Sequence, residues 1–244
     1  MMKKLSIKHI FTIIAALLFC CSFTAEAQRF NDKLQNRPYT DQRKWHLGFG
    51  VGLHTQNFSF SHTGTAAENG EVWYAEQPDY SPSFNVCGLF EYRLSKYFSV
   101  RTTPGLFFGN RLLRFIDETG EMTGKQDVKS AHLVLPVEVK FAGERLRNAR
   151  PYLIGGIMPA VDVANKRADL LKLKTTDFYL TVGFGCDFYL PYFKLNPELK
   201  FCFGFTDMLD RNRPDLADNP EQMKYTNAIR KMTSTMVVLT FYFE

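Results

Sequence analysis

The sequence has few of the features that mark an enzyme, a nucleic-acid-binding protein or a helical membrane protein. No run of 18 apolar residues follows the N-terminal region, so no transmembrane helix is predicted. The formal net charge of +5 over 244 residues is too small to indicate nucleic-acid binding. There is no G-x-S-x-G, H-x-x-x-H or C-x-x-C motif.

Cysteine is also scarce, with five residues in all. Cys20 and Cys21 lie in the N-terminal region, and Cys87, Cys186 and Cys202 are far apart in the rest of the chain. An odd number without close spacing argues against a disulfide framework and against a zinc site. We interpret the last three as isolated small apolar residues.

The first 27 residues have the pattern of a secretory signal peptide. Three lysines precede an apolar stretch at 10–19, and Ala25-Glu26-Ala27 forms an A-x-A cleavage site. Cys20 and Cys21 raise the alternative of a lipid anchor, but Phe19 stands where a lipobox requires a small residue. We therefore predict cleavage after Ala27 and export of the remaining chain.

Residues 28–44 are polar, contain Pro38 and show no periodicity, which predicts an N-terminal arm in the periplasm. From Trp45 to Glu244 the sequence is dominated by alternating apolar and polar residues, the pattern of β-strands with two different faces. The predicted domains are thus a signal peptide at 1–27, an arm at 28–44 and a barrel at 45–244. Eight strands are predicted, at 45–60, 84–94, 98–115, 128–141, 151–162, 177–190, 193–205 and in a closing segment that includes 236–244.

The connections between these strands alternate strictly between long and short. Long polar loops are predicted at 61–79, 117–127, 164–174 and 207–229, and short turns at 95–97, 143–149 and 191–192. An even number of antiparallel strands with alternating connections is typical of an outer-membrane barrel, with short turns in the periplasm. Both chain ends would then lie on the periplasmic side. The predicted fold is all-β, an eight-stranded antiparallel transmembrane β-barrel of the outer-membrane type.

A soluble lipocalin-like cup is the alternative, and the two barrels differ in which face points outward. One face of the predicted strands is large, aromatic and almost free of charge. The other face carries charges of both signs, at Glu91, Arg93, Arg101, Glu138, Lys140, Asp187, Lys194, Glu198 and Lys200. Glycines at 48, 50, 52, 183, 185 and 204 on the same face would leave room for long side chains. An eight-stranded barrel has an interior that side chains can fill. Aromatic residues at strand ends favour the membrane interpretation, and we predict the bacterial outer membrane as the location.

The histidines are the main candidates for catalysis, whereas Glu91 with Arg93 and Glu198 with Lys200 are better explained as neutralising pairs in a filled lumen than as a proton path. His46 and His54 share the polar face of the first strand, His132 lies on the fourth, and Ser59, His62 and Asp79 lie toward the loop end. Nothing converges in a catalytic or metal-ligand spacing, and 211–218 lacks the spacing of a calcium loop. We expect interior histidines beside carboxylates, with no catalytic residues, cofactor, metal, nucleic acid or small-molecule substrate.

Several segments resemble the PorT family. They are Arg37-Pro-Tyr-Thr-Asp41, His46-Leu-Gly-Phe49, Gly52-Leu-His-Thr-Gln-Asn-Phe58, Leu135-Pro-Val-Glu-Val-Lys-Phe141, Pro151-Tyr-Leu-Ile-Gly-Gly156 and Asn196-Pro-Glu-Leu-Lys-Phe201. The resemblance implies an outer-membrane barrel of the type IX secretion system of Bacteroidota. It also implies a non-enzymatic role as an accessory or assembly subunit, with outer-membrane lipid and translocon proteins as partners.

Two other functions remain open at this point. The first is a generic small barrel for adhesion or envelope stability. A secretion defect in cells that lack the protein would argue against it. The second is an outer-membrane enzyme, which substitution of interior histidines and serines would test.

Overall fold

A computed structural model describes residues 36–62, 74–76, 82–116, 122–164, 173–210 and 229–244. The predicted signal peptide, the first part of the predicted arm, Asp79, the segment 211–218 and much of the long loops lie outside these residues. Among the described residues, no helix is long and apolar enough to cross a membrane.

The described chain is built almost entirely from antiparallel strands, preceded by a short 3-10 helix at Thr40–Gln42. The strands are β1 (Trp45–His62), β2 (Tyr74–Glu76), β3 (Ser83–Arg93), β4 (Phe98–Thr102), β5 (Gly105–Ile116), β6 (Met122–Val134), β7 (Val137–Ala142), β8 (Ala149–Asp162), β9 (Thr176–Tyr189), β10 (Lys194–Gly204) and β11 (Ile229–Phe243).

These strands close into a ring. β1 pairs with β3 on one side and with β11 on the other, where the register runs from Phe49 opposite Phe243 to His62 opposite Ile229. β11 continues through β10 and β9 to β8. Since the last strand pairs with the first, the sheet has no open edge there, and the predicted closed barrel is confirmed.

Two positions of the ring are each occupied by a pair of strands separated by a proline. β4 and β5 together form the predicted third strand, and β6 and β7 form the fourth. Pro104 and Pro136 stand at the breaks, because proline has no N–H group to donate to a ladder. The ring therefore has the eight predicted positions.

Two of the predicted loops contain strand. β6 begins at Met122, inside the predicted loop 117–127, and β2 lies inside the predicted loop 61–79. Both pair with β5, so the hairpin continues beyond the segment with apolar alternation. The sequence did not predict these strands because their side chains do not alternate between apolar and polar. Backbone hydrogen bonds to β5 form them instead.

The outward face of the ring is apolar and the inward face is polar. Leu47 is 69% exposed, whereas Arg101, on the inward face, is fully buried. On β8, whose facing the sequence left unassigned, Leu153 points outward and Tyr152 inward. A soluble cup would have the opposite arrangement, so the membrane interpretation is confirmed.

The apolar wall has a limited height. On β1 it runs from Trp45 to Leu53, and the next outward residues are Thr55, Asn57 and Ser59. Eight steps along a strand correspond to about 26 Å, or roughly 20 Å of height at a strand tilt of about 40°, against an apolar band of roughly 25 Å in outer-membrane barrels. The β1–β11 ladder continues to Ser61, so the sheet extends past the apolar band at its loop end.

Candidate functional site

The centre of the barrel is an ion network organised by Arg101. Its guanidinium donates to Glu91 through Nε (3.0 Å) and Nη2 (2.6 Å), and to Glu198 through Nη1 (2.8 Å). All three side chains are buried. The Ser99 hydroxyl donates to the other oxygen of Glu91 at 2.7 Å. One cation thus joins β3, β4 and β10 across the lumen.

The network continues toward the short turns through two lysines. Lys140 lies 2.8 Å from Asp187 and 3.4 Å from Glu91, measured from Nζ to a carboxylate oxygen. Lys194 lies 2.7 Å from Glu244 and 3.7 Å from Asp187. The last residue of the chain is therefore part of the lumen network.

A third lysine extends the network toward the loops. Lys200 lies 2.8 Å from Glu138 and 3.2 Å from Glu198. The Thr181 hydroxyl donates to Glu138, and the Tyr152 hydroxyl donates to Glu198. Each carboxylate in this part of the barrel therefore has a cation or a hydroxyl against it, as buried charges require.

Glycines make the room that these side chains occupy. A Cβ atom on Gly185 would lie 2.5 Å from the Tyr152 ring, and one on Gly50 would lie 2.6 Å from the Tyr242 ring. The prediction that strand glycines accommodate long interior side chains is confirmed at these two positions. The lumen is thus a packed ionic core.

The interior histidines lie where the sequence placed them. His46 Nδ1 is 3.3 Å from the Glu244 carboxylate, and His132 Nε2 is 3.8 Å from Asp162. His54 is buried, with its ring centroid 4.9 Å from that of Phe107. The expected interior histidine within hydrogen-bond distance of a carboxylate is therefore seen at His46, whereas His132 lies near Asp162 but beyond hydrogen-bond distance.

The other residues considered for catalysis do not join them. Ser59 is exposed on the outward face of β1, whereas His54 on the same strand is buried on the inward face. His62 ends β1, and Asp79 lies outside the described residues. Within the described part of the chain, no three metal-binding side chains cluster. Cys87 and Cys202 are buried and unpaired, and Cys186 is also a free thiol.

The end of the barrel with the short turns, called the turn end below, is covered by residues 36–43, called the cap. The side-chain amide of Asn36 donates to the Tyr189 carbonyl at 3.0 Å. Arg37 adopts a φ of 51° and donates to the Glu244 carbonyl. Arg145 donates to the carbonyls of Asn36 and Arg37. This half of the predicted arm therefore packs on the barrel itself.

Asp41 is the central anchor of the cap. It accepts a hydrogen bond from the Tyr189 hydroxyl and lies 3.2 Å from Arg145 and 3.5 Å from Arg150. Burial alone would raise the pKa of Asp41, but the Tyr189 hydrogen bond and the two guanidinium groups outweigh it and lower the pKa below 3.8. Sequence reasoning missed this anchor, although Asp41 ends the first segment that resembles PorT.

We expect Asp41→Asn to loosen the cap without unfolding the barrel. Losing hydrogen bonds to charged groups should cost about 1.5–3 kcal/mol locally. That cost corresponds to roughly 10- to 150-fold faster amide exchange, measured at Thr40, Gln42 and Arg43, whose amides donate within the cap. Glu144→Gln is the matched control, because its pair with Lys96 is exposed on both sides and should leave exchange unchanged. Equal exchange in wild type and Asp41→Asn would contradict the anchor.

The same carboxylate makes the cap sensitive to acid. Because the folded pKa of Asp41 is lowered, its stabilisation is complete above its ordinary value of 3.8 and is lost as pH falls through the folded value. We expect cap amides to lose protection on acidification before the barrel strands do, measured by hydrogen exchange across a pH series. In Asp41→Asn this pH dependence should be absent.

A polar pocket opens between the cap and the turn at 95–98. The space inside its mouth, including open solvent, is about 330 Å³. Its walls include Glu91, Asp187, Lys140 and Lys194, which pair with one another, and Asp41, which pairs with arginines of the turn end. The pocket is therefore the outer margin of the ion network.

Comparison with known proteins agrees with this architecture. A family model described as "Outer membrane protein beta-barrel domain" matches residues 27–210. Among curated proteins, no sequence matches the chain.

Three solved structures are similar in arrangement and distant in sequence. Neisserial surface protein A is 8% identical, with a TM-score of 0.41 over 82% of this chain and 98% of its own. The N-terminal barrel domain of Pseudomonas aeruginosa OprF is 9% identical, with a TM-score of 0.37 over 80% and 96%. Ail, the attachment invasion locus protein of Yersinia pestis, crystallised with a heparin analogue, is 8% identical, with a TM-score of 0.36 over 82% and 99%.

Proposed function

Because the chain belongs to the outer membrane protein beta-barrel domain family and resides in the bacterial outer membrane, we propose that it serves type IX protein secretion as a non-enzymatic accessory or assembly subunit. Its partners would be outer-membrane lipid and proteins of the translocon. The signal peptide at 1–27 and the periplasmic position of 28–44 are part of this proposal.

The filled lumen is the observation that carries the proposal. Arg101, Lys140 and Glu138 are each at most 1% exposed and lie in the middle of the barrel. A barrel of this size has no room for a polypeptide once side chains occupy its interior. A part in protein secretion must therefore be played through the surfaces of the barrel.

The segments that resemble PorT support the choice of secretion. Two of them supply Glu138 and Lys140, and Glu198 and Lys200, to the ion network. The segment from Arg37 to Asp41 forms the cap. The resemblance thus covers the parts that fill and close the barrel.

The turn end is the surface best suited to a periplasmic partner. Short turns of outer-membrane barrels face the periplasm. Tyr39, in the cap, is 73% exposed, and Leu146, in the turn between β7 and β8, is 70% exposed. Exposed aromatic and apolar side chains on a fixed backbone are typical of protein contact sites.

Deletion of the gene tests the secretion role. We expect cargo with C-terminal secretion signals to accumulate in the periplasm of the deletion strain and to be released again when the wild-type chain is restored. Immunoblots of periplasm and culture medium measure both. A matched strain restored with Lys231→Gln should also secrete, since that exposed side chain lies at the loop end of β11, away from the turn end.

The alternatives give different results in the same strain. Normal secretion combined with weaker surface attachment or greater detergent sensitivity would instead establish a barrel for adhesion or envelope stability. An enzymatic role would be indicated if chains carrying His54→Gln or His132→Gln folded into the barrel but failed to restore the function lost in the deletion strain. Secretion that survives deletion of the gene contradicts the proposal.

A further inference from the structure

The turn end carries a large excess of positive charge. The segments 36–44, 93–98 and 143–150 contain eight basic side chains and two carboxylates. The basic residues, called the basic rim, are Arg37, Arg43, Lys44, Arg93, Lys96, Arg145, Arg147 and Arg150. The two carboxylates are Asp41 and Glu144. The network inside the barrel holds four cationic and five carboxylate side chains, so the positive excess belongs to the rim.

The two carboxylates neutralise only part of the rim. Asp41 pairs with Arg145 and Arg150, and Glu144 pairs with Lys96. Arg37 donates to the main-chain oxygen of Glu244, and Arg93 donates to the Ser95 carbonyl. The Ser95 carbonyl holds the Arg93 guanidinium in place without cancelling its charge.

Arg43 and Lys44 are the most accessible part of the excess. Both are exposed, and within the described residues no carboxylate pairs with either side chain. The Arg93 amide donates to the Lys44 carbonyl at 2.9 Å, which places Arg93 beside them. Three cations of the rim therefore lie together at the start of β1.

One outward-facing aromatic residue, Trp45, lies directly beside these cations, and another lies elsewhere at the turn end. Trp45 is 56% exposed and packs at a tilt against the rings of Tyr92 and Phe90 on the neighbouring strand. Tyr192, in the turn between β9 and β10, is 92% exposed. Amphipathic aromatic rings lie at the level of lipid headgroups in membrane proteins. Lys44 and Arg43 immediately precede Trp45 in the chain, on the side away from the apolar band.

We propose that the basic rim binds anionic phospholipid headgroups of the leaflet at the turn end, with Arg43 and Lys44 as the principal contacts and Trp45 setting their depth. Each Lys or Arg near an anionic surface contributes about 1 kcal/mol, roughly a fivefold enrichment. An acidic protein could also meet a basic surface. The aromatic residues on the lipid-facing wall beside the cations favour lipid. The inference does not depend on the secretion role.

Tryptophan fluorescence provides the measurement. The chain has two tryptophans, Trp45 and Trp73, so Trp73→Phe leaves Trp45 as the reporter. The full chain is folded into phosphatidylcholine vesicles containing increasing fractions of brominated phosphatidylglycerol or brominated phosphatidylcholine. Bromine quenches only the nearby indole, so the two curves give the relative affinity of the Trp45 site for each lipid.

We expect brominated phosphatidylglycerol to bind about fivefold or more tightly than brominated phosphatidylcholine in low salt. The preference should weaken in 0.5 M salt. In the double variant Arg43→Gln, Lys44→Gln it should fall below about twofold. The matched control is Arg230→Gln, Lys231→Gln, a second consecutive Arg–Lys pair that lies at the loop end of β11 and should leave the preference intact.

Equal quenching by the two lipids in the wild-type chain would overturn the proposal and leave the rim to an acidic protein partner. A preference that survives Arg43→Gln, Lys44→Gln would also overturn it, because the selectivity would then arise elsewhere. Gel mobility without heating confirms that each variant is folded before its curve is compared.

Discussion

Replacing Arg101 by methionine should lower the free energy of unfolding by about 3–5 kcal/mol. The substitution removes the cation that contacts Glu91 and Glu198, both buried in the lumen. Lys140 and Lys200 still contact these carboxylates, but the barrel would enclose one positive charge fewer. Urea unfolding in lipid vesicles, followed by tryptophan fluorescence, measures the loss.

Two variants separate loss of charge balance from loss of packing. Arg93→Met removes an arginine at the turn end that donates to a backbone carbonyl, and it should cost less than about 1 kcal/mol. Adding Glu198→Gln to Arg101→Met removes one of the two carboxylates that lost a cation. The double variant should therefore recover part of the lost free energy of unfolding. An Arg101→Met chain within 1 kcal/mol of wild type would show that the lumen is hydrated enough to leave carboxylates unpaired.

Replacing Leu239 by arginine should prevent stable insertion or lower stability by about 2–4 kcal/mol. Leu239 faces outward on β11, opposite Leu53 on β1 and Leu199 on β10, within the apolar band. A charge at that depth must reach water across hydrocarbon. The folded fraction in vesicles, measured as the band that migrates faster without heating, reports the effect.

Thr233→Arg is the matched control on the same face of the same strand. Thr233 pairs with Ser59, beyond the apolar band, and lies nearer to water. Arginine should therefore cost about 0–1 kcal/mol there. If both substitutions had the same small effect, the outward wall would not face hydrocarbon.

The sequence was sufficient to predict the barrel because its strongest signals are local. Alternation on β1 and β11 identifies the strand and its outward face at once, since a face of Leu, Phe and Val differs sharply from one of Gly, His and Thr. The short turns at 95–97 and 191–192 fixed the order of neighbours. The polar face on β10 likewise predicted the interior position of Glu198 and Lys200.

The cap could not be predicted because its contacts join residues far apart in the chain. Asp41 meets Tyr189 and Arg145, and Arg37 meets the backbone of Glu244. No periodicity marks a segment held by such contacts, and a polar stretch containing proline resembles a free arm. Strand β2 and the start of β6 were missed for a related reason, because their ladders are made by the backbone.

We propose that this filled barrel acts in secretion through its surfaces, with the cap and arm as its periplasmic part. The most direct test is a strain whose only copy lacks residues 30–44, which keeps the predicted cleavage site. We expect the protein to run as a compact, heat-modifiable band while cargo stays in the periplasm. A compact band together with normal release of cargo into the medium would contradict the claim.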